Sequence, residues 1–158
     1  MRGPMVFGGY FKDPERTKQV FNNEGWFFTG DSVMVREDGN VSFVGRKKDI
    51  INRGGEKVNP LEVETLLFAH PKVLNVAVVG MPDYRLGERS CAYIIPKGGN
   101  TISFEEVVSF LREKKIATFK LPERVEVVDS FPMTPTGKVK KNILRDDIAG
   151  KLKAEGAI

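Results

Sequence analysis

The sequence holds one cysteine, Cys91, and one histidine, His70. A lone cysteine excludes an internal disulfide and suits a reducing compartment, so a cytoplasmic location is expected. One histidine and one cysteine leave no basis for a His/Cys metal centre, and no metal-ligand residues are assigned. Long apolar runs are missing too. Val76–Val79 and Cys91–Ile95 are four and five residues long, against about 20 for a membrane-spanning helix, so no transmembrane segment is expected. Met1-Arg2-Gly3-Pro4 lacks the apolar stretch of a secretory signal. Neither sign of charge dominates: 25 Lys plus Arg stand against 21 Asp plus Glu, a net +4. That excess suits an anionic small molecule and does not by itself indicate nucleic acid. There is no internal repeat.

What is present is ordinary globular material: 158 residues, 41% hydrophobic and 29% charged. That length holds one domain, or one small domain and a piece of another. Asp13-Pro14-Glu15 starts a helix, with Asp as N-cap and Pro at the first helical position, running to about Asn22. Trp26–Thr29, Val33–Arg36 and Asn40–Val44 read as strands, the last two joined by an Asp38-Gly39 hairpin. Gly45–Asp49 reads as a charged linker, Ile50-Ile51 as a short strand and Arg53–Glu56 as a tight turn. Asn59-Pro60 caps a helix that ends at His70-Pro71. Val73–Val79 and Ser90–Ile95 are apolar strands around a polar loop, Pro82–Arg89. Ser103–Glu106 is a capping box, and Phe104, Val107, Val108 and Leu111 follow at helical spacing. Arg124–Val128 is a further strand and Lys141–Lys153 a last helix. The order, a hairpin, a linker and then β-α-β-β-α-β-α, gives an α+β domain from about Asp49 onward. The first 45 or so residues concentrate aromatics (Phe7, Tyr10, Phe11, Phe21, Trp26, Phe27, Phe28) without a balanced core. They read as part of a larger sheet.

Four segments could carry chemistry, and each also has a plain structural reading. In Pro132–Lys138, two hydroxyls, a flexible Gly137 and Lys138 suit phosphate. It is not a P-loop, because Pro132 and Val139 stand where that motif needs Gly and Ser/Thr; a solvated surface loop is the plainer reading. In Thr29-Gly30-Asp31 the carboxylate could hold a vicinal diol such as ribose, or simply close a turn. Arg46 could reach a ribose or phosphate from within a charged linker. Gly54-Gly55 would let a ligand approach the backbone, or just make a turn. His70 reads as a cation at a helix C-terminus, and Cys91 as a buried small residue. Lys138, Lys140, Lys141 and Arg145 read as a solvated face rather than a nucleic-acid patch, since no aromatics are interleaved.

Taken together and in order, Gly8-Gly9-Tyr10, Gly25–Asp31, Gly45–Ile51, Gly54–Glu64, Gly87-Glu88 and Pro135–Lys138 resemble the C-terminal portion of the adenylate-forming superfamily. The superfamily includes acyl-CoA synthetases, aryl-acid ligases, peptide-synthetase adenylation domains and luciferases. The resemblance runs from Gly3 to about Leu144. It implies a small C-terminal domain, a short β-hairpin plus a mixed sheet with packed helices, preceded by closing strands of a larger N-terminal domain. The division would fall at residues 1–47 and 48–158, with Lys48 as hinge.

By the same resemblance, the parent enzyme activates a carboxylic acid with ATP and Mg2+ as an acyl-adenylate, then passes the acyl group to a thiol, commonly CoA. Asp31 and Arg46 would contact the ATP/AMP ribose and phosphate. Lys138 would be the catalytic lysine of the first half-reaction. An ammonium between the attacking carboxylate and the α-phosphate opposes the charge that grows there. Rotation at Lys48 would withdraw Lys138 and bring in Gly54, Gly55 and Glu56 to line the thiol channel. The family's phosphate loop, adenine contacts and acyl pocket lie upstream of the matching part. The large N-terminal domain is therefore the expected partner, and the chain alone is expected to be inactive. A stand-alone, non-catalytic interaction module with the same fold is the competing reading.

Overall fold

A computed structural model describes residues 1–158. The chain divides into two compact units, Met1–Lys48 and Asp49–Ile158.

In the first unit, helix α1 (Pro14–Val20) begins as its sequence dictates. Asp13 accepts a hydrogen bond from the Arg16 amide at 2.9 Å, and Pro14 needs no donor at that position. Strands β1 (Asp31–Val35) and β2 (Val41–Arg46) pair antiparallel around Asp38-Gly39, where Gly39 takes φ +80°. The expected strand at Trp26–Thr29 is not formed. Asn22 Oδ1 accepts from the Glu24 and Trp26 amides and bends the chain back, leaving a single bridge, Phe21 to Phe27. The linker expected at Gly45–Asp49 is ordered as well. Gly45 and Arg46 complete β2, and Lys47–Asp49 form one 3-10 turn.

Phe7 meets Tyr10, Phe21 and Phe27 at ring distances of 5.1–5.5 Å, but Phe11, Trp26 and Phe28 stay exposed. Val33, Met34, Val35, Val41 and Phe43 also lie open on the hairpin. Gly45 is the unit's one buried residue. A two-stranded ribbon has no second layer to cover it, so this unit lacks a core of its own.

The second unit contains the core. Strands β3 (Ile51–Arg53), β4 (Glu56–Val58), β5 (Val73–Asp83), β6 (Gly87–Pro96) and β7 (Arg124–Val127) form a mixed sheet in the order β4-β3-β6-β5, with β7 parallel to β6. Val76, Val78, Ala92 and Ile94 pack on helices α2 (Pro60–Phe68) and α3 (Phe104–Glu113). Ala77, Val79, Cys91 and Tyr93, on the other face, pack on helix α4 (Lys141–Ala154). Burial on both faces explains why β5 and β6 read as continuous apolar runs. Both caps of the capping box form, Ser103 N–H to Glu106 Oε2 at 2.9 Å and Glu106 N–H to Ser103 Oγ at 3.2 Å.

The β5–β6 ribbon is longer than its apolar run. Met81, Pro82 and Asp83 pair with Arg89, Glu88 and Gly87, so most of the expected polar loop is ladder. Backbone pairing is indifferent to side-chain polarity where the ribbon projects from the core. Strand β4 has no counterpart in the sequence reading, because two strands of three residues show no periodicity.

Candidate functional site

Asp31 and Arg46 lie opposite each other, at the open end of the β1–β2 hairpin. The register places their Cα atoms as partners, and Arg46 Nε stands 3.4 Å from Asp31 Oδ1. Thr29 Oγ1 accepts from the Asp31 amide at 3.1 Å and fixes the turn that presents the carboxylate. An open cleft runs beside it, lined by Phe28, Gly30, Asp31, Val41, Phe43 and Lys47. A partly exposed carboxylate steadied by one guanidinium keeps lone pairs for two further donors, which is what a vicinal diol offers.

Gly54 and Gly55 turn the chain between β3 and β4 with φ +58° and +97°. The left-handed backbone favours glycine at both positions, but their surroundings differ. The Gly54 amide donates to the Leu86 carbonyl at 2.8 Å, and a Cβ on Gly54 would stand 2.9 Å from Leu86 Cδ2. Leu86 thus fills the space beside Gly54. A Cβ on Gly55 would meet nothing within 4 Å, so there the backbone faces open space that a ligand chain could enter. Arg53 anchors the turn through two hydrogen bonds to Glu123, at 3.0 and 3.2 Å, and this pairing raises the guanidinium pKa further. Asp83 accepts from the Arg85 and Leu86 amides and holds the facing turn. Glu56 is exposed at the start of β4.

Lys138 closes a hydrogen-bonded turn. The Thr134 amide donates to the Lys138 carbonyl (2.8 Å), Gly137 to the Thr134 carbonyl (2.9 Å), and the Lys138 amide to Thr134 Oγ1 (3.0 Å). Gly137 takes φ +77°. The Lys138 side chain is exposed, and its ammonium makes no hydrogen bond or ion pair. A fixed backbone carrying an uncommitted cation can present charge to an anion without first breaking a contact. No hydrogen bond or ion pair joins this turn to Gly54-Gly55. Lys48 lies in the exposed 3-10 turn that ends at Asp49.

Two expectations for neighbouring residues are corrected. His70 is not a helix-end cation. It is buried, its Nδ1 accepts from the Lys72 amide at 3.2 Å, and its ring packs edge-on against Phe110. Burial holds its pKa below the ordinary 6.5, because the imidazolium would lose hydration there. The basic run after Lys138 is not wholly a solvated face either. Lys141 pairs with Glu64 at 2.6 Å and Arg145 with Asp49 at 2.7 Å. Cys91 is buried in the β6–α4 layer, and burial pushes its thiol up to about 12.

Sequence reasoning missed Glu123, Leu86 and Glu64 as supports of these turns. Glu123 is 70 residues from Arg53, and no local pattern connects them. A usable signal existed only for Glu64, an acid among the apolar positions of α2.

Residues 62–138 match the family described as AMP-binding enzyme C-terminal domain. The chain is 47% identical over 152 residues to a medium-chain fatty-acid–CoA ligase of Escherichia coli, covering 96% of this chain and 27% of that protein. It is 49% identical over 153 residues to a 2,3-dihydroxybenzoate-AMP ligase of Bacillus subtilis, covering 97% and 28%. Among solved structures, ATP-bound MatB from Rhodopseudomonas palustris superposes with a TM-score of 0.87 at 39% identity, over 94% of this chain and 29% of that one. The chain thus spans little more than a quarter of the length of the curated relatives it matches.

Proposed function

The chain belongs to the adenylate-forming enzymes through its AMP-binding C-terminal domain, and on that premise we propose that it is the C-terminal part of an AMP-forming acid–CoA ligase. Residues 1–47 are then the closing strands of a large nucleotide-binding domain, and 48–158 a mobile small domain hinged at Lys48. The exposed apolar hairpin supports this reading, since Val33, Val35, Val41 and Phe43 need a covering layer that the first unit does not supply.

The reading assigns one task to each face of the small domain. In adenylation, Lys138 steadies the charge that develops between an acid's carboxylate and the α-phosphate of ATP. Asp31 accepts hydrogen bonds from the ribose hydroxyls while Arg46 orients its carboxylate. In thioester formation, the open backbone at Gly55 admits the narrow pantetheine arm of CoA, with Gly54 and Glu56 completing the turn. Free CoA rather than a carrier-bound thiol is the acceptor we propose. Mg2+ accompanies ATP in such chemistry. No group of three or more His, Cys, Asp or Glu side chains in this chain could hold a metal, so its ligands are not assigned to these residues.

The observation that carries the proposal is the Lys138 turn: a backbone closed by three internal hydrogen bonds, bearing an unpaired ammonium, at the end of the matched segment. In the longer protein, Lys138→Ala is expected to abolish acid-dependent ATP–pyrophosphate exchange. Thioester formation from preformed acyl-adenylate should be largely retained. Equal loss of both half-reactions refutes the assignment. The 158-residue chain alone is expected to show no exchange.

A further inference from the structure

We infer that Glu64 and Lys141 are positioning residues that hold the Lys138 turn in place, an inference that rests on the catalytic reading of Lys138 given above. The turn is closed at its base by the Met133–Val139 bridge and by the Lys140 amide donating to the Pro132 carbonyl at 2.8 Å. Beyond that base, the hydrogen bonds that shape the turn are all internal to residues 134–138. Its position therefore depends on where the base is fixed. On the entering side, Phe131 is buried in the core layer under α4. On the leaving side, the next residue after Lys140 is Lys141, the first of α4, and its ammonium lies 2.6 Å from Glu64 Oε1.

Glu64 is unusual in its own helix. It is the one charged residue among the buried positions of α2, with its side chain about 10% exposed. Its Oε1 also accepts from the Val78 amide at 2.6 Å, on the outer edge of β5. One carboxylate thus joins a helix, the sheet edge and the residue three positions after Lys138. A carboxylate so far out of water is held in place by its two donors, because losing either leaves a desolvated charge without a partner. A second pair reinforces the first. Arg145 lies one helical turn after Lys141, and its Nη2 meets Asp49 Oδ1 at 2.7 Å. Lys141 and Arg145 are i and i+4, so both clamps act along one side of the first turns of α4. Asp49 directly follows the proposed hinge. The arrangement ties the Lys138 turn to the start of the small domain, so that a change of backbone angle at Lys48 would carry Lys138 with it.

Lys141→Met, which keeps the aliphatic stem, tests this in two independent ways. In the 158-residue chain, amide hydrogen exchange at Thr134 and Lys138 should accelerate about tenfold or more, while the amides of Cys91–Ile94 keep their protection. In the longer protein, acid-dependent ATP–pyrophosphate exchange should fall on the order of 100-fold in kcat, the cost of a small misplacement of a reacting group. The KM for ATP and thioester formation from preformed acyl-adenylate should not change. Lys141→Arg should restore both readouts. Unchanged exchange at Thr134 and Lys138, or an equal loss in the two half-reactions, overturns the inference. If Lys141→Met loses protection at Cys91–Ile94, the Glu64→Gln/Lys141→Met double variant, which removes both charges, is judged by the same two criteria. If the unaltered longer protein shows no acid-dependent exchange, the catalytic reading of Lys138 fails, and the amide measurements still decide whether the clamp exists.

Discussion

Asp31 can be tested by removing the carboxylate charge and the hydroxyl it is proposed to hold, separately and together. Asp31→Asn keeps the size of the side chain but removes its charge. A hydrogen bond between a charged carboxylate and a ribose hydroxyl contributes about 1.5–3 kcal/mol, so the kcat/KM for ATP should fall about 10- to 100-fold. With an ATP analogue lacking one of the two hydroxyls, the same substitution should cost less, because one of the contacts is already gone. The cycle isolates one contact. Stability should barely change. The Asp31–Arg46 pair is separated by 3.4 Å, and the two side chains are 30% and 49% exposed. At such exposure solvent screens the attraction, and a pair contributes about 0–1 kcal/mol. Urea denaturation of the chain with Asp31→Asn or Arg46→Met should therefore shift by no more than that. The assay is steady-state kinetics of the longer protein with ATP and with its 2′- and 3′-deoxy analogues. Equal losses with ATP and with both analogues would refute the diol contact. A stability loss of several kcal/mol would show that the pair is a folding element and not a ligand site.

The remaining predictions concern groups whose environments the fold sets. Burial lowers the pKa of His70 below 6.5 in the folded chain, so the unfolded chain binds the proton more tightly. Stability should be fully present above about pH 6.5 and decline as pH falls below it; His70→Asn, which can still accept from the Lys72 amide, should flatten that decline in a denaturation series. Cys91 is buried and its thiol is pushed up to about 12. A thiol reagent at pH 8 should therefore modify it only at the rate of unfolding, and rapid labelling of the native chain would contradict that placement.

Much of the fold follows from neighbours in the chain. Asp13, Asn59 and Ser103 each precede a helix and each accepts from an amide two or three residues on. Asp38-Gly39 makes the hairpin turn. The Val73 and Ser90 runs become the two central strands because both of their faces are covered. The misses have physical causes. Trp26–Thr29 has strand composition, but its backbone has one bridge to make, not a ladder. The ends of β5 and β6 are polar in sequence yet paired in space, since their backbone bonds continue beyond the core. The place of His70 after a helix suggests a cation, and only the packing of Phe110 and the Lys72 amide make it a neutral acceptor.

The candidate site divides along the same line. The presence of Asp31, Arg46, Gly54, Gly55 and Lys138, and their order, belong to the sequence alone, and so does the resemblance they carry. Tertiary structure decided which of them have partners. Arg46 is set against Asp31 by strand register, Gly54 is occupied by Leu86 while Gly55 is open, and Lys138 is left uncommitted where Lys141 and Arg145 are engaged. Capping and turn rules act over three or four residues, so a sequence displays them directly. The ion pairs that hold these turns join residues 70, 77 and 96 positions apart. Such partners are chosen by the order of strands and the face on which each helix packs, and no local pattern encodes that choice.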